Sequence, residues 1–260
     1  MHKMISIFID ERGVATITLE RAEKHNALCA QMLDELKDAV TNLSFNKAVR
    51  VVVLTGAGES FCAGGDLEWM REQIQANSAT RVRAATKLAH TLQALNTMPK
   101  PLIGALQGNA FGGGVGLAAV CDIAIGVDHL KMGFTETRLG LIPATIGPYV
   151  LARMSEGVAR RVFMSSRIFK AKEALNFGLL SAIVPAEKLD MSVESEIVPF
   201  LSCAPGAVAS AKALMRDLGP RIDDKTIAMT IDALRLRWEC DEAVEGIDAF
   251  FEKRKASWAL

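Results

Sequence analysis

The chain has 260 residues and a mass of 28.0 kDa, enough for one large domain or a domain with an appendage. Half of the residues are apolar, so a sizeable core is available. Thirty basic side chains balance thirty acidic ones, with an isoelectric point near 6.9, which argues against a nucleic-acid binder working through bulk charge. Five cysteines (Cys29, Cys62, Cys121, Cys203, Cys240) are scattered, odd in number and without C-x-x-C spacing. They read as small core residues in a reducing, cytoplasmic compartment. The N-terminal Met1–Ile7 segment lacks the apolar run of a secretory signal.

In chain order, Ile5 to Asp10 and Val14 to Leu19 alternate at period two around Arg12-Gly13, a β-hairpin pattern. A polar loop, Arg21 to Asn26, precedes a helix predicted from Gln31 to Leu43. Val51 to Thr55 is an apolar run, as expected of a strand covered on both faces. It enters a loop rich in turn residues, Gly56 to Asp66, then a short helix near Leu67–Met70. A longer helix is expected over Thr80–Leu95. Leu102 to Leu106 reads as a buried strand that leads through Gly112-Gly113-Gly114 into the helical run Val115–Val120. Pro101 to Cys121 carries no charge and is long enough to span a bilayer at about 20 residues. Its six glycines, with Gln107 and Asn109, mark it instead as buried core.

Further strands are expected at Asp122–Val127, Lys131–Phe134 and Ala182–Val184. Thr135 to Pro143 reads as extended or turning. Helical patterns cover Ile146–Met154, Glu156–Met164 and Ala171–Phe177, with another helix after Pro185. From about Pro205 the pattern is all helix: Ala207–Leu218, Thr226–Glu239 and Asp241–Lys255. The expected organisation is therefore an α/β body over residues 1–204 and a helical region over 205–260.

Several chemistries fit poorly. Gly114-Val-Gly-Leu-Ala-Ala119 matches G-x-G-x-x-A, but its helix is too short for a dinucleotide-binding crossover. A P-loop lacks its Lys-Ser/Thr, no G-x-S-x-G elbow is present, and the four histidines have no metal-ligand spacing. Two strand–glycine loop–helix units remain. If they lie side by side, one N–H from each loop converges on a single oxygen, as in an oxyanion hole for a thioester carbonyl becoming an enolate. Tight turns and packing contacts are the plainer reading of the same glycines.

An ordered set of motifs identifies a family. Asn26-Ala-Leu28, Ser60-Phe-Cys-Ala-Gly-Gly-Asp-Leu67, Gly108 to Gly114, Cys121-Asp-Ile-Ala124, Leu139-Gly-Leu-Ile-Pro143, Ala174 to Leu179 and the Gly246–Arg254 tail together resemble the crotonase (enoyl-CoA hydratase/isomerase) superfamily over essentially the whole chain. The resemblance implies an α/β crotonase spiral of ββα turns, a helical trimerisation tail, and trimers or hexamers binding acyl-CoA. It implies no metal and no redox cofactor, since CoA arrives with the substrate. Position by position, Gly65 and Gly113 match the two oxyanion donors. Lys24, Ala27, Ala63, Asp66 and Leu67 lie where the family lines its CoA pocket, and Phe250 and Lys253 match tail positions that reach CoA in related trimers.

Glu136 matches the second catalytic glutamate of the hydratases, whereas the position of the first holds Gly116. One carboxylate must then both deprotonate water and protonate Cα, or else move a proton from Cα to Cγ as an isomerase does. Without the resemblance, Glu136 reads as a surface carboxylate paired with Arg138, two residues along an extended segment. The wording around Phe111–Ala119 and Thr135–Tyr149 is most similar to bacterial methylglutaconyl-CoA and isohexenylglutaconyl-CoA hydratases. Their substrates carry a distal carboxylate, so a cation is expected near the acyl pocket; Arg138, Arg71 and Arg83 are candidates. The readings are thus a hydratase, an enoyl-CoA isomerase using the same glutamate, or a non-catalytic binder of acyl-CoA or RNA prompted by the missing carboxylate.

Overall fold

In the computed structural model, which describes residues 3–260, the N-terminal hairpin forms as its alternation dictates; Met1 and His2, and what the sequence suggests of them, lie outside this range. Strand β1 (Ile5–Ile9) pairs antiparallel with β2 (Val14–Leu19), and Gly13 closes the turn in the left-handed region. From β2 the pairing turns parallel. β3 (Val51–Gly56), β5 (Leu102–Leu106), β7 (Ile123–Val127) and β10 (Ala182–Val184) follow in that order, with Val14 opposite Val51, Val52 opposite Leu102 and Ile103 opposite Ile123. Val51 to Leu54 and all of β5 are buried, which is why those segments read as unbroken apolar runs.

A second sheet takes in two segments that the sequence shows as glycine-rich loops, together with the expected strand near Lys131 and a further short one. It is built from β4 (Ser60–Cys62), β6 (Asn109–Phe111), β8 (Lys131–Gly133) and β9 (Ile168–Lys170). β4, β6 and β8 are parallel neighbours, and β9 returns antiparallel to β8. Each of three successive turns (β3–β4, β5–β6, β7–β8) adds one strand to each sheet. That is a spiral of ββα turns.

Helices pack around this frame. Ala30–Phe45 buries Met32, Leu33, Leu36, Ala39, Val40 and Leu43, the expected stripe. The Leu67 helix runs on to Gln75, with Asp66 as N-cap accepting from Trp69 N, and Ser78–Thr97 follows, capped by Asn77. Gly113–Val120 is buried throughout. The C-terminal region folds as Pro205–Leu218, Asp224–Trp238 and Asp241–Phe251. The last helix stops four residues short of the predicted Lys255, because Lys253 takes a left-handed conformation (φ 55°). Leu141, Trp238, Ala243 and Ile247 form a small apolar cluster separate from the main core, with Met70, Ile74 and Leu234 packed against it. The helical arm therefore folds back over its own chain. Among the described residues no single helix is long and apolar enough to cross a membrane.

Candidate active site

Parallel pairing of β4 with β6 sets the two glycine loops side by side, Ser60 opposite Asn109 and Cys62 opposite Ala110. A Cβ added to Gly64 would stand 3.7 Å from the Gly113 nitrogen, so the loops are in contact. Gly114 admits no side chain at all, since its Cβ would lie 2.2 Å from the carbonyl oxygen of Cys62. Leu28 clamps the first loop from both sides: its N–H donates to Gly64 O at 2.7 Å and its carbonyl accepts from Asp66 N at 2.9 Å. The intervening Gly65 N–H donates to no group among the described residues. Gly113 begins a helix, so its N–H has no intrahelical acceptor and lies at the positive end of the helix dipole. Two free donors from adjacent loops therefore line one cavity.

Loop 21–28 is held by a buried amide. Asn26 is fully buried, donates to Ala57 O (2.9 Å) and Ser60 O (2.7 Å), and accepts from Arg21 N (2.9 Å). Arg21 in turn pairs with Asp66 at 2.7 Å. Burial opposes ionisation of Asp66, but the Trp69 N–H and Arg21 hold its carboxyl below the usual range. The Asp66 carboxylate is thus committed to the loop and the helix cap, although the residue does line the outer cavity described below.

Glu136 opens a 3-10 turn, Glu136–Leu139, closed by Gly140 in the left-handed region. In such a turn each residue advances about 120°, so Glu136 and Arg138 diverge. Glu136 points inward and Arg138 is exposed. The extended-segment pairing of the two is thereby corrected: they form no ion pair, and the Oε2 atom of Glu136 is buried without a hydrogen-bond partner. Burial pushes its pKa up to about 7, opposed by its own backbone N–H. Gly112, at φ 47°, makes this possible, because a Cβ there would stand 2.8 Å from Glu136 Oε1.

The C-terminal arm braces this turn. Arg237 donates from Nε (3.1 Å) and Nη2 (2.7 Å) to Gly140 O while pairing with Glu242. Backbone meets backbone here, since a Cβ on Gly246 would lie 2.5 Å from the carbonyl carbon of Leu139.

Two cavities meet at Gly65, Met70 and Glu136. The outer one, about 600 Å³, is lined by Lys24, Ala27, Ala63, Asp66, Leu67 and Phe250, with Arg138 at its wall. The inner one, about 130 Å³, is walled by Leu28, Trp69, Met70, Leu88, Ile146 and Trp238, and Gly113 opens onto it. Most of the expected site residues are therefore gathered. Lys253 lies beyond the last helix and lines neither cavity of its own chain, whereas its expected contact is one made within a trimer. Three other expectations need correction. Gly116 is shielded from the inner cavity: a Cβ there would meet Ile146 Cγ2 at 2.4 Å and Leu92 Cδ2 at 3.6 Å. The space that the first glutamate would need is filled by Ile146. Arg138 belongs to the outer cavity only. Arg71 stacks on Phe251 and Arg83 bonds Thr80 Oγ1, so neither reaches the inner cavity.

Among the inner-cavity residues that sequence reasoning missed are Gln73, Arg81, Leu234 and Trp238. A signal for two of them exists. Arg81 precedes Ala85, Leu88, Leu92 and Leu95 at helical spacing, and Gln73 shares a face with Trp69 and Met70, so both are polar residues on apolar stripes.

Comparison with known proteins agrees with this architecture. The family model described as enoyl-CoA hydratase/isomerase matches residues 10–259. A crotonyl-CoA hydratase from Syntrophomonas wolfei is 34% identical, over 95% of each chain. The crystal structure of an enoyl-CoA hydratase from Shewanella pealeana superimposes with a TM-score of 0.81 at 34% identity, covering 98% of this chain and 96% of that one. An enoyl-CoA hydratase from Mycobacterium avium gives a TM-score of 0.89 at 28% identity over the full length of both chains. The chain belongs to the enoyl-CoA hydratase/isomerase family, with the crotonase fold.

Proposed function

We propose that the protein hydrates an α,β-unsaturated acyl-CoA of the glutaconyl type, with Glu136 as the only acid–base group. The observation that carries this reading is a buried, unpartnered carboxylate at the junction of two cavities, beside two free backbone N–H donors. The outer cavity receives the CoA moiety against Lys24, Ala27, Ala63, Leu67 and Phe250, and the inner one receives the acyl group. Glu136 takes a proton from water as the oxygen attacks Cβ. The Cα=Cβ electrons move into the thioester, and the enolate oxygen is held by the Gly65 and Gly113 N–H groups. Protonated Glu136 then returns its proton to Cα and the carbonyl re-forms. No residue beyond those named enters a bond-making step. Trimers are proposed through the exposed apolar residues of the helical region, among them Leu214, Met215, Leu218 and Met229.

Because one carboxylate serves both steps, H and OH arrive on the same face. Hydration in deuterium oxide is expected to give the syn product alone, read by proton NMR of the released acid; a mixture of syn and anti products contradicts the single-carboxylate mechanism. The isomerase reading rests on the same lone Glu136. Incubating 2-enoyl and 3-enoyl thioesters in heavy-oxygen water separates the two, since only hydration places the label in product. Label-free double-bond migration as the main reaction would overturn the hydratase reading.

Arg237→Ala is expected to lower kcat about tenfold with little change in KM, because a charged hydrogen bond to the catalytic turn is worth about 1.5–3 kcal/mol. Steady-state kinetics with a thermal melt check this. An unchanged kcat would show that the brace does not orient Glu136.

A further inference from the structure

The inner cavity is apolar except at a few points. Besides the oxyanion donors, its hydrogen-bonding side chains are Glu136 and Thr145, the indoles of Trp69 and Trp238, and a contiguous pair formed by Gln73 and Arg81. Glu136 is shared with the outer cavity, whereas Gln73 and Arg81 line the inner one only. Gln73 is 7% exposed, and its Oε1 has no hydrogen-bond partner. Arg81 is anchored through Nε to Gln73 O and through Nη2 to Ile74 O, both at 2.8 Å. Its Nη1 has no hydrogen-bond partner among the described residues. Glu239 feels the charge of Arg81, but its carboxylate is already bonded by Ser78 and by Arg235, the latter at 2.8 Å.

A guanidinium and an unpaired amide lining a largely apolar cavity are a poor match for a hydrocarbon end. An alkyl group placed there would leave Arg81 Nη1 and the Gln73 amide without partners, which is costly wherever the ligand displaces water. A carboxylate satisfies them. It accepts from Arg81 Nη1, and the Gln73 amide supplies an N–H after rotation about its last bond, since the oxygen and nitrogen of an amide exchange places easily.

We infer that Arg81 and Gln73 form the subsite that recognises a carboxylate at the distal end of the acyl group. This rests on the acyl-CoA reading of the site given above, and it names the residues that select the substrate class. The plainer role of Arg81 is to cap the carbonyls at the end of the Leu67–Gln75 helix. The two roles separate experimentally, because Gln73→Leu keeps the backbone carbonyls that Arg81 caps while removing the amide.

The test is binding of two unreactive five-carbon thioesters, glutaryl-CoA and valeryl-CoA, which differ only in a terminal carboxylate against a methyl. By titration calorimetry the wild-type protein is expected to bind glutaryl-CoA at least tenfold more tightly. Arg81→Met should abolish that preference and Gln73→Leu should reduce it several-fold, with valeryl-CoA affinity held within threefold in both. No preference in the wild type, or a preference that survives both substitutions, overturns the subsite. Equal loss of both ligands in Arg81→Met, with an unchanged preference in Gln73→Leu, assigns Arg81 to the helix cap alone and also overturns it. Since neither thioester reacts, the outcome is independent of turnover. Discrimination without hydration would leave the subsite standing and remove the hydratase reading, and hydration without discrimination would do the reverse.

Discussion

Glu136→Gln is expected to lower kcat for hydration by about 1,000-fold while making the protein more stable at pH 8. The first effect follows from the loss of the group proposed as the general acid and base, a role worth about 100- to 10,000-fold in enzymes generally. The second follows from linkage. The buried Glu136 carboxyl titrates near 7 against an ordinary value of 4.5, so between those values the folded state holds a proton that the unfolded chain has released. The stability associated with the protonated form is complete below pH 4.5, falls as pH rises, and is gone above 7. Moving a carboxyl over that span corresponds to a ceiling of roughly 3 kcal/mol, and cavity water lowers the figure to about 2 kcal/mol. The neutral amide escapes this cost. Chemical denaturation at pH 5 and pH 8, set beside initial rates, reads both effects. A variant that is inactive but no more stable than wild type at pH 8 would show that the carboxylate is not desolvated; one that stays active would remove its catalytic role.

Gly116→Glu is expected to destabilise the protein by about 3 kcal/mol and to restore no second catalytic group. The added Cβ would lie 2.4 Å from Ile146 Cγ2 and 3.0 Å from Ile146 Cβ, branch atoms that cannot swing aside. Overpacking of this kind costs about 1–3 kcal/mol, and a carboxylate forced between Leu92 and Ile146 adds the cost of a buried unpaired charge. The gain in helix propensity on replacing glycine, about 1 kcal/mol, offsets only part of this. Adding Ile146→Ala should recover part of the loss, a coupling that a double-mutant cycle measures. Additive losses would mean that Ile146 is not what occupies the missing glutamate's place. The lone carboxylate is in this sense built into the packing: the residue that replaces the first glutamate and the residue that fills its space are matched.

Much of this site was legible in the sequence. The large sheet announces itself in apolar runs such as Val51–Leu54 and Leu102–Leu106, because strands buried on both faces need no alternation. The pairing of the two glycine loops and the lone Glu136 were likewise readable from motif order. The second sheet was legible only in the strand at Lys131–Gly133. Its strands are three residues each, and segments such as Ser60–Cys62 and Asn109–Phe111 become strands only through partners some 50 residues away. The inward turn of Glu136 follows from the family resemblance and not from local spacing, because a spacing of two means the same side in a strand but diverging directions in a 3-10 turn.

The distal arginine was misplaced for a related reason. Arg81 and Arg83 lie two residues apart on one helix and so about 200° apart around it. Only Arg81 shares the apolar stripe that faces the cavity. The contribution of Leu234 and Trp238 from the C-terminal arm is a long-range contact that no local pattern signals.

The pH dependence of kcat/KM for hydration of a glutaconyl-type thioester, followed from pH 5 to 9, tests the lone buried glutamate most directly. One ionisation near 7 is predicted, with the rate rising tenfold per pH unit below it and level above, as a free-enzyme base of that pKa requires. A profile that is flat across this range, or one that rises only around pH 4.5, would contradict it.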